Sequence, residues 1–280
     1  MNGRPGYVRM RILAKNPTMD VLLKALQMLP EDLLPEFWFE YEPNPKKKRV
    51  YLSDWETFET KLRTEGVDGH LQHKDHTIWY EGFLPDSFPP KKPFYNGFDL
   101  IAKEGADIEP ALRAFEHFSR FFDTYHSLAT PIESLDKIIA ARAEVLQKNP
   151  PFEEFYPEQH TEQPFDYAHA KFRFPALGWI TYLSEECITD YNLNLDELRD
   201  LAWKFEEVGE TASAGKLYRF QFSEDRNDWP EFTPKLTEIS IRADAYNFRE
   251  EEYRENVLFK RLRGVESWHK WLLPDGWWKG

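Results

Sequence analysis

Three histidines, His70, His73 and His76, have the spacing most typical of a metal site in this chain. Imidazoles three residues apart could converge on one side of a helical turn and bind zinc. Gly66 and Gly69 precede the three histidines, and residues 77–80 are strand-like, so an extended backbone would separate the three rings. We therefore expect solvated loop histidines, no metal site and no organic cofactor.

Carboxylate pairs offer a second possible chemistry. Glu185 and Glu186, with His169, could serve as the acid and base of a hydrolase. Glu250, Glu251 and Glu252 form another acidic group. Adjacent acids on helices or loops are usually solvated, and the sequence contains no Gly-x-Ser-x-Gly, Walker-type or His-Glu-x-x-His motif. We predict that the protein is not an enzyme, with a carboxylate hydrolase as the alternative.

Charge is distributed unevenly along the 280 residues. The net charge is −13, of which residues 1–149 carry −3 and residues 150–280 carry −10. Such a field repels nucleic acid and anionic membranes and favours a basic partner. Solubility alone could also explain it. The aromatic content of 16% indicates either a large aromatic core or an exposed aromatic surface.

Cys187 is the only cysteine, which excludes an intramolecular disulfide and suits a reducing compartment. No apolar run reaches the ~20 residues that a membrane span requires. The first residues lack the apolar core of a secretory signal. These features predict a cytoplasmic protein with no membrane or nucleic-acid partner.

The first half of the chain alternates strand-like and helical patterns. Thr18 is a candidate helix cap, and residues 53–56 have the form of a capping box. Residues 43–49 form a basic loop, and the Pro/Gly-rich residues 83–98 form a long one. The predicted strands are residues 7–13, 36–42, 77–80 and 98–102, and the predicted helices run from residue 18 to 29, 53 to 65, 107 to 125 and 131 to 149.

The second half is organised around residues 171–184, two apolar runs separated by Pro175 and Gly178. The pattern predicts a turn or bulge at the break and an inner strand containing Trp179. A helix capped by Asn194 is predicted to end at Gly209, followed by a strand over residues 216–222 and an acidic loop over 223–230. Residues 236–241 fit either strand or helix, and a last helix is predicted from about 248 to 262.

This order of elements predicts an α+β fold, with antiparallel strands in one or two curved sheets and helices on the outer faces. The proline-rich residues 149–164 suggest a boundary between an N-terminal α+β half, 1–150, and an acidic C-terminal α+β half, 165–280, that carries the Gly-Trp strand. One continuous domain is the alternative.

Residues 175–184 have the pattern Pro-x-Leu-Gly-Trp-x-Thr-Tyr-Leu-Ser, and a Leu-x-Arg-Phe strand follows at 217–220. Together with the intervening helix and glycine, this segment resembles the immunity protein 52 family of bacteria. The resemblance implies a protein that neutralises a toxin delivered between cells. Such toxins are often restriction-endonuclease-like nucleases and in some cases type VI secretion effectors. A structural or regulatory module unrelated to toxins remains a third possibility.

A toxin with a basic surface would find its complement in the acidic half of this chain. Acids there lie beside aromatic residues or at the ends of predicted segments, where we expect them to be exposed. The predicted partner-binding residues are Glu206, Glu207 and Glu210 at a helix exit, Asp225, Asp228 and Trp229 in a loop, and Glu250, Glu251 and Glu252 at a helix start.

Overall fold

The computed structural model describes residues 8–15, 18–39, 49–65, 68–81, 97–102, 107–147 and 174–247. The strands are β1 (Val8–Ala14), β2 (Phe37–Phe39), β3 (Val50–Tyr51), β4 (Asp68–Gln72), β5 (His76–Glu81), β6 (Gly97–Ala102), β7 (Thr124–Pro131), β8 (Ile180–Ser184), β9 (Lys204–Glu210) and β10 (Lys216–Gln221). The helices are α1 (Met19–Gln27), α2 (Trp55–Glu65), α3 (Glu109–Phe121), α4 (Ile132–Gln147), α5 (Glu185–Asp190), α6 (Leu195–Leu201) and α7 (Trp229–Asn247), with short 3-10 helices at Glu31–Leu33 and Arg226–Asp228.

All ten strands form one open antiparallel sheet, in the order β3-β2-β4-β5-β6-β1-β7-β8-β10-β9. The predicted α+β class with an antiparallel sheet is confirmed. β7 pairs directly with β8, so the sheet continues across the proposed boundary between the two halves. The division into two domains stays a prediction. In the part of the chain that the structure describes, no helix has the length and apolar character needed to cross a membrane.

One face of the sheet carries a row of apolar side chains from neighbouring strands. Met10 pairs with Leu100, Leu100 with Ile78, Ile78 with Leu71, and Leu71 with Trp38. All five are buried. Because side chains directly opposite in register share a face, this row forms a continuous apolar band.

Helix α3 packs on this face through the aromatic stripe that the sequence predicts. The Phe118 ring lies 4.8 Å from that of Phe98 on β6, and the Phe115 ring lies 6.0 Å from that of Tyr182 on β8. Pro110 lies in the first turn, where its missing N–H leaves no hydrogen bond unmade. The stripe therefore belongs to the core, as predicted.

The opposite face is covered, in the region of β7, by α4, α7 and residues 174–178. His126 on β7 contacts the Phe174 ring at 5.9 Å, and Arg142 of α4 donates from Nη2 to the Phe174 carbonyl at 2.6 Å. Ser134 of α4 and Thr233 of α7 share a buried hydrogen bond of 2.6 Å. The predicted placement of helices on both outer faces is therefore observed here.

The break in the central stretch differs from the prediction in its details. Ala176, rather than Gly178, takes the left-handed backbone, with φ of 82°. Gly178 is needed for close approach, because a Cβ there would lie 2.9 Å from the Thr130 Cβ on β7. Trp179 lies just before β8 and is 7% exposed, so it is an inner residue but not a strand residue.

Strand β7 was not predicted, and the helix expected to extend to Tyr125 ends at Phe121. All eight residues of β7 are buried, so the strand shows no alternation of polar and apolar residues. Two of its polar side chains bond within the fold: Ser127 donates to Ser119 of α3 at 2.9 Å, and the His126 Nε2 lies 2.7 Å from the Ala176 carbonyl.

The prediction of solvated loop histidines was wrong. His70 lies on β4, His73 in the β4–β5 turn and His76 at the start of β5, and the last two are 3% and 0% exposed. The His73 ring lies 4.3 Å from that of His76. The His73 Nδ1 accepts from the Asp75 N–H at 3.1 Å, within the turn. Its Nε2 is 3.0 Å from the Asp32 carbonyl, which links the turn to the 3-10 helix at Glu31–Leu33.

Several predictions fall outside the described residues. They include most of the loop at 83–98, the basic residues 43–48, the connector 149–164, and the helix and tail beyond residue 247. Elsewhere, the caps at Thr18 and Asn194 are confirmed by side-chain bonds to the Val21 and Asp196 N–H groups at 3.3 and 3.0 Å. Residues 236–241 are helical, within α7.

Candidate partner-binding surface

Glu206, Glu207 and Glu210 lie on β9, the last strand of the sheet, and not at a helix exit as predicted. Helix α6 already ends at Leu201. Phe205 follows Leu201 by four residues, a helical spacing, but its ring packs beside Tyr218 and Phe220 of β10 at 6.0 and 5.3 Å. Cross-strand aromatic contact therefore replaces the helical stripe.

Two of these glutamates have basic neighbours inside the fold. Glu206 accepts from Arg120 of α3 at 3.0 Å, and Glu207 pairs with Lys216 of β10 at 3.1 Å. The bond to Glu207 raises the pKa of Lys216. Both pairs are exposed, so solvent and salt screen them strongly. Glu210 makes no ion pair with any described residue.

Trp203 and Lys204 were missed by the sequence analysis. Trp203 lies between α6 and β9 and is 54% exposed, one of the most exposed large apolar side chains among the described residues. The sequence would have indicated an exposed Trp203 only if the helix had been predicted to end at Leu201, because Trp203 then follows the C-cap. We refer to residues 203–210 as the β9 edge.

The β9 edge lies within a segment of strongly acidic composition. Residues 196–231 contain ten Asp and Glu but five Lys and Arg, a net charge of −5. Arg219, at the centre of β10, is neutralised by Glu116 of α3, with Nη2 to Oε1 at 2.6 Å. The positive charge of Arg219 is therefore neutralised inside the fold.

Asp225, Asp228 and Trp229 form a second group with structural contacts of their own. Asp225 caps the 3-10 helix by accepting from the Asn227 N–H at 2.8 Å, and Asp228 accepts from the Ser223 hydroxyl. Trp229 begins α7 and is half-buried, with the Lys137 ammonium 4.5 Å above its ring. This segment was predicted as a loop, and it is instead a capped helix start.

The two groups are joined through β10. Gln221 pairs with Lys204 of β9, and Ser223 follows two residues later. The capped turn at 225–229 thus adjoins the Lys204 end of β9, whereas Glu210 lies at the other end. No hydrogen bond or ion pair within the described ranges links the groups directly. The third predicted group, Glu250, Glu251 and Glu252, lies outside the described residues.

The turn between β9 and β10 is tied to the body of the protein. Asp123, after α3, accepts from both the N–H and the hydroxyl of Ser213. Lys15, after β1, forms an ion pair with Glu186, and Glu185 accepts from the Lys216 N–H at 3.3 Å. Both acids of the proposed carboxylate pair therefore have structural contacts, and His169 lies outside the described residues.

The fold is similar to that of a protein of known structure. That protein is the Pseudomonas aeruginosa T6SS protein PA0821, with 15% sequence identity, a TM-score of 0.43, and coverage of 92% of this chain and 88% of that chain. No protein-family model matches the chain, and no curated protein matches it.

The residues that resemble the immunity protein 52 family lie on and beside β8 and β10, inner strands of the sheet, rather than on its edge strand. Thr181 on β8 pairs with Phe220 on β10, and both are buried. Trp179 donates from Nε1 to the Ser223 carbonyl at 2.8 Å, which links the start of β8 to the end of β10. These residues hold the strands beside β9 in place, and they are not themselves accessible to a partner.

In the described ranges, no three histidine, cysteine or acidic side chains are grouped so that they could hold a metal ion. Cys187 is fully buried, and burial raises the pKa of its thiol, which keeps it protonated. The surface around β9 offers charge, backbone hydrogen-bonding groups and an exposed indole. Such a combination suits protein binding.

Proposed function

We propose that this protein is an immunity protein that binds and neutralises a cognate antibacterial toxin, a nuclease effector, by non-covalent contact and without catalysis. The observation that carries the proposal is the β9 edge, which places acids and an exposed tryptophan along an open strand. A nuclease is cationic around its phosphate path, so an acidic protein that covers this path can inhibit it without chemistry.

The arrangement of the edge supports rapid and tight binding. Exposed acids accelerate association with a basic protein, and the field of the net charge of −13 adds to them at low salt. Trp203 supplies the large apolar contact that interface hot spots favour. Delivery of the toxin by a type VI secretion system is part of the proposal.

The test is toxin neutralisation in cells. The product of the neighbouring gene is expressed under an inducible promoter, with and without this chain. We expect induction alone to stop growth, co-expression to restore it, and the two proteins to purify as one complex. Growth arrest that persists despite stable co-expression would exclude this pairing.

A non-catalytic mechanism is tested by stoichiometry. Purified chain should inhibit the toxin's nuclease activity in proportion to the amount bound, and inhibition should be complete near equimolar amounts. A small fraction of the chain that inactivates the whole toxin pool would indicate an enzyme instead.

A further inference from the structure

We propose that the β9 edge binds its partner by strand addition: a basic, extended segment of the partner pairs with β9 as an eleventh strand. The inference deepens the proposed function, because it rests on a basic partner and names how that partner is held. Strand addition requires backbone N–H and C=O groups of β9 that point away from the sheet.

The hydrogen-bond ladder fixes this direction. The Phe222 N–H donates to the Trp179 carbonyl at 2.9 Å, towards the β8 side of β10. Because backbone groups alternate in direction along an antiparallel strand, Gln221 and Arg219 must bond towards β9. Their partners are Lys204 and Glu206. The N–H and C=O groups of Phe205 and Glu207 therefore point away from the sheet.

Within the described residues, the outer side of this strand is open. β9 ends the sheet there, and none of its seven residues bonds to another described residue beyond its neighbour β10 and the side-chain contacts of its glutamates and Phe205. Pairing is regular from Lys204 to Glu207 and shifts between Glu207 and Gly209 opposite Leu217. A partner strand would thus find a short regular stretch, limited at one end by the bulge.

The side chains along the stretch select the partner's charge. Glu206 points to the α3 face of the sheet and Glu207 to the opposite face, so a bound strand would meet an acid on either face. Lysine or arginine at successive partner positions would form opposite-charge cross-strand pairs. Trp203, just before the stretch, would cover the end of the added strand.

A second copy of this chain fits the edge poorly. Pairing β9 with itself would place Glu206, Glu207 and Glu210 of each copy against those of the other. Like charges opposite each other in a sheet are destabilising, and acidic edges protect natural sheets from self-association. The charge of the edge therefore points to a basic partner.

The experiment uses a nine-residue probe peptide of valine and lysine, with lysine at successive central positions and with blocked termini. A matched peptide carries N-methyl groups at alternate residues on its pairing side, with the same charge. We expect the first to bind with protection of the Phe205 and Glu207 amides from hydrogen exchange, and the second to bind about tenfold more weakly or worse. Absence of binding by the first, or equal binding of both, overturns strand addition.

Two variants of the protein give a matched comparison. Glu207→Gln and Glu207→Pro both remove the negative charge, but only proline also removes the outward-pointing N–H. Because this N–H points away from β10, its loss removes no backbone hydrogen bond between β9 and β10. Proline is tolerated where a strand N–H faces solvent. We expect the proline variant to bind the peptide about tenfold more weakly than the glutamine variant, with matching thermal unfolding. Equal affinities overturn the inference. If the proline variant unfolds at a lower temperature, the comparison of the unmethylated and N-methylated peptides on the wild-type protein tests strand addition instead.

Sedimentation of the protein alone tests whether a second copy of this chain occupies the β9 edge. A monomer is expected, and a dimer that Glu207→Pro dissociates would assign the edge to a second copy and overturn the inference. Toxin neutralisation by the same two variants separates the two proposals. Neutralisation that survives in both variants, with peptide binding lost in the proline variant, retains the immunity function and rejects strand addition as its mode. If the wild-type protein binds the peptide but does not neutralise the toxin, strand addition is retained and the immunity function is rejected.

Discussion

Arg11 and Asp99 face each other across the ladder between β1 and β6, with Nε and Nη2 of the guanidinium each 2.7 Å from a different carboxylate oxygen. The Arg11 side chain is 2% exposed and that of Asp99 is 15% exposed. Burial alone would raise the pKa of Asp99, but the charge and hydrogen bonds of Arg11 outweigh it and lower that pKa. Two central strands are thus joined by a buried ion pair.

Breaking this pair should destabilise the protein. In Arg11→Met, the Asp99 carboxylate loses its bidentate partner inside the sheet, and we expect a loss of about 3 kcal/mol in the free energy of unfolding. Urea unfolding measures it. The control is Arg63→Met, which breaks the exposed pair with Asp20 and should cost at most about 1 kcal/mol. Equal losses in the two variants would contradict a structural role for the buried pair.

Protonation of His126 should make the fold sensitive to acid. Burial lowers its pKa to about 3, and its Nε2 lies 2.7 Å from the Ala176 carbonyl, to which the neutral ring can donate. An unfolded histidine binds a proton below about pH 6.5. Stability is therefore full above this pH and falls by about 1.4 kcal/mol per unit as the pH drops towards 3.

The measurement is the free energy of unfolding at several pH values from 7 to 4. His126→Gln should reduce this slope by about 1.4 kcal/mol per pH unit, because glutamine does not titrate. His117→Gln is the control. Burial lowers the pKa of His117 too, but this residue is only half-buried, so we expect a smaller change in the pH dependence of stability. An unchanged slope in His126→Gln would show that His126 is charged in the folded protein.

Trp179 combines burial with one hydrogen bond, and two substitutions separate them. Trp179→Ala should cost roughly 3–5 kcal/mol, because it empties a buried site beside β8. Trp179→Phe retains most of the ring and loses the bond to the Ser223 carbonyl, so it should cost about 1 kcal/mol. Thermal unfolding measures both. Equal losses would mean that the hydrogen bond, and not packing, is what matters.

Reversing the acids of β9 should slow association with the toxin. With Glu206, Glu207 and Glu210 changed to Lys, we expect association at low salt to slow by about tenfold or more, and the difference to shrink at high salt. The control reverses Glu31, Glu56 and Glu109, exposed acids of the first half, with the same change in net charge. If both triple variants slow association equally, net charge and not the β9 edge is responsible.

Trp203 and Trp229 should differ as anchors. Trp203→Ala should leave thermal unfolding unchanged and raise the dissociation rate by the equivalent of about 2 kcal/mol. Trp229 packs against the core, so Trp229→Ala should lower thermal stability as well. Dissociation measured by surface plasmon resonance tests both. Faster dissociation in Trp229→Ala alone would move the binding site to the start of α7.

The sequence predicts the elements whose patterns are local. β1, α1, α2, α3 and β10 follow from alternation, helical stripes and capping residues, and these patterns survive in the fold because each element buries one clear face. β7 and β9 were missed for opposite reasons. β7 is buried on both faces, so it shows no alternation, whereas β9 follows a helix whose apolar spacing continues through Phe205 in the sequence.

The candidate site was predicted in composition but not in geometry. The acids of 206–210 could be selected from charge, yet their place on an open strand depends on pairing with β10, which only the tertiary structure fixes. His73 illustrates the same limit, since its buried ring contacts the Asp32 carbonyl, which is distant in sequence.

The place of β1 has a consequence for synthesis on the ribosome. β1 lies between β6 and β7, so both of its neighbours are translated long after it, and β7 is complete only at Pro131. At ~5–20 residues per second, the wait is roughly 6–25 s. During this time β1, with the apolar Met10 and Ile12, lacks at least one of the two strands that flank it in the sheet. A nascent chain stalled before residue 124 should therefore recruit chaperones, and one stalled well after residue 131 should release them.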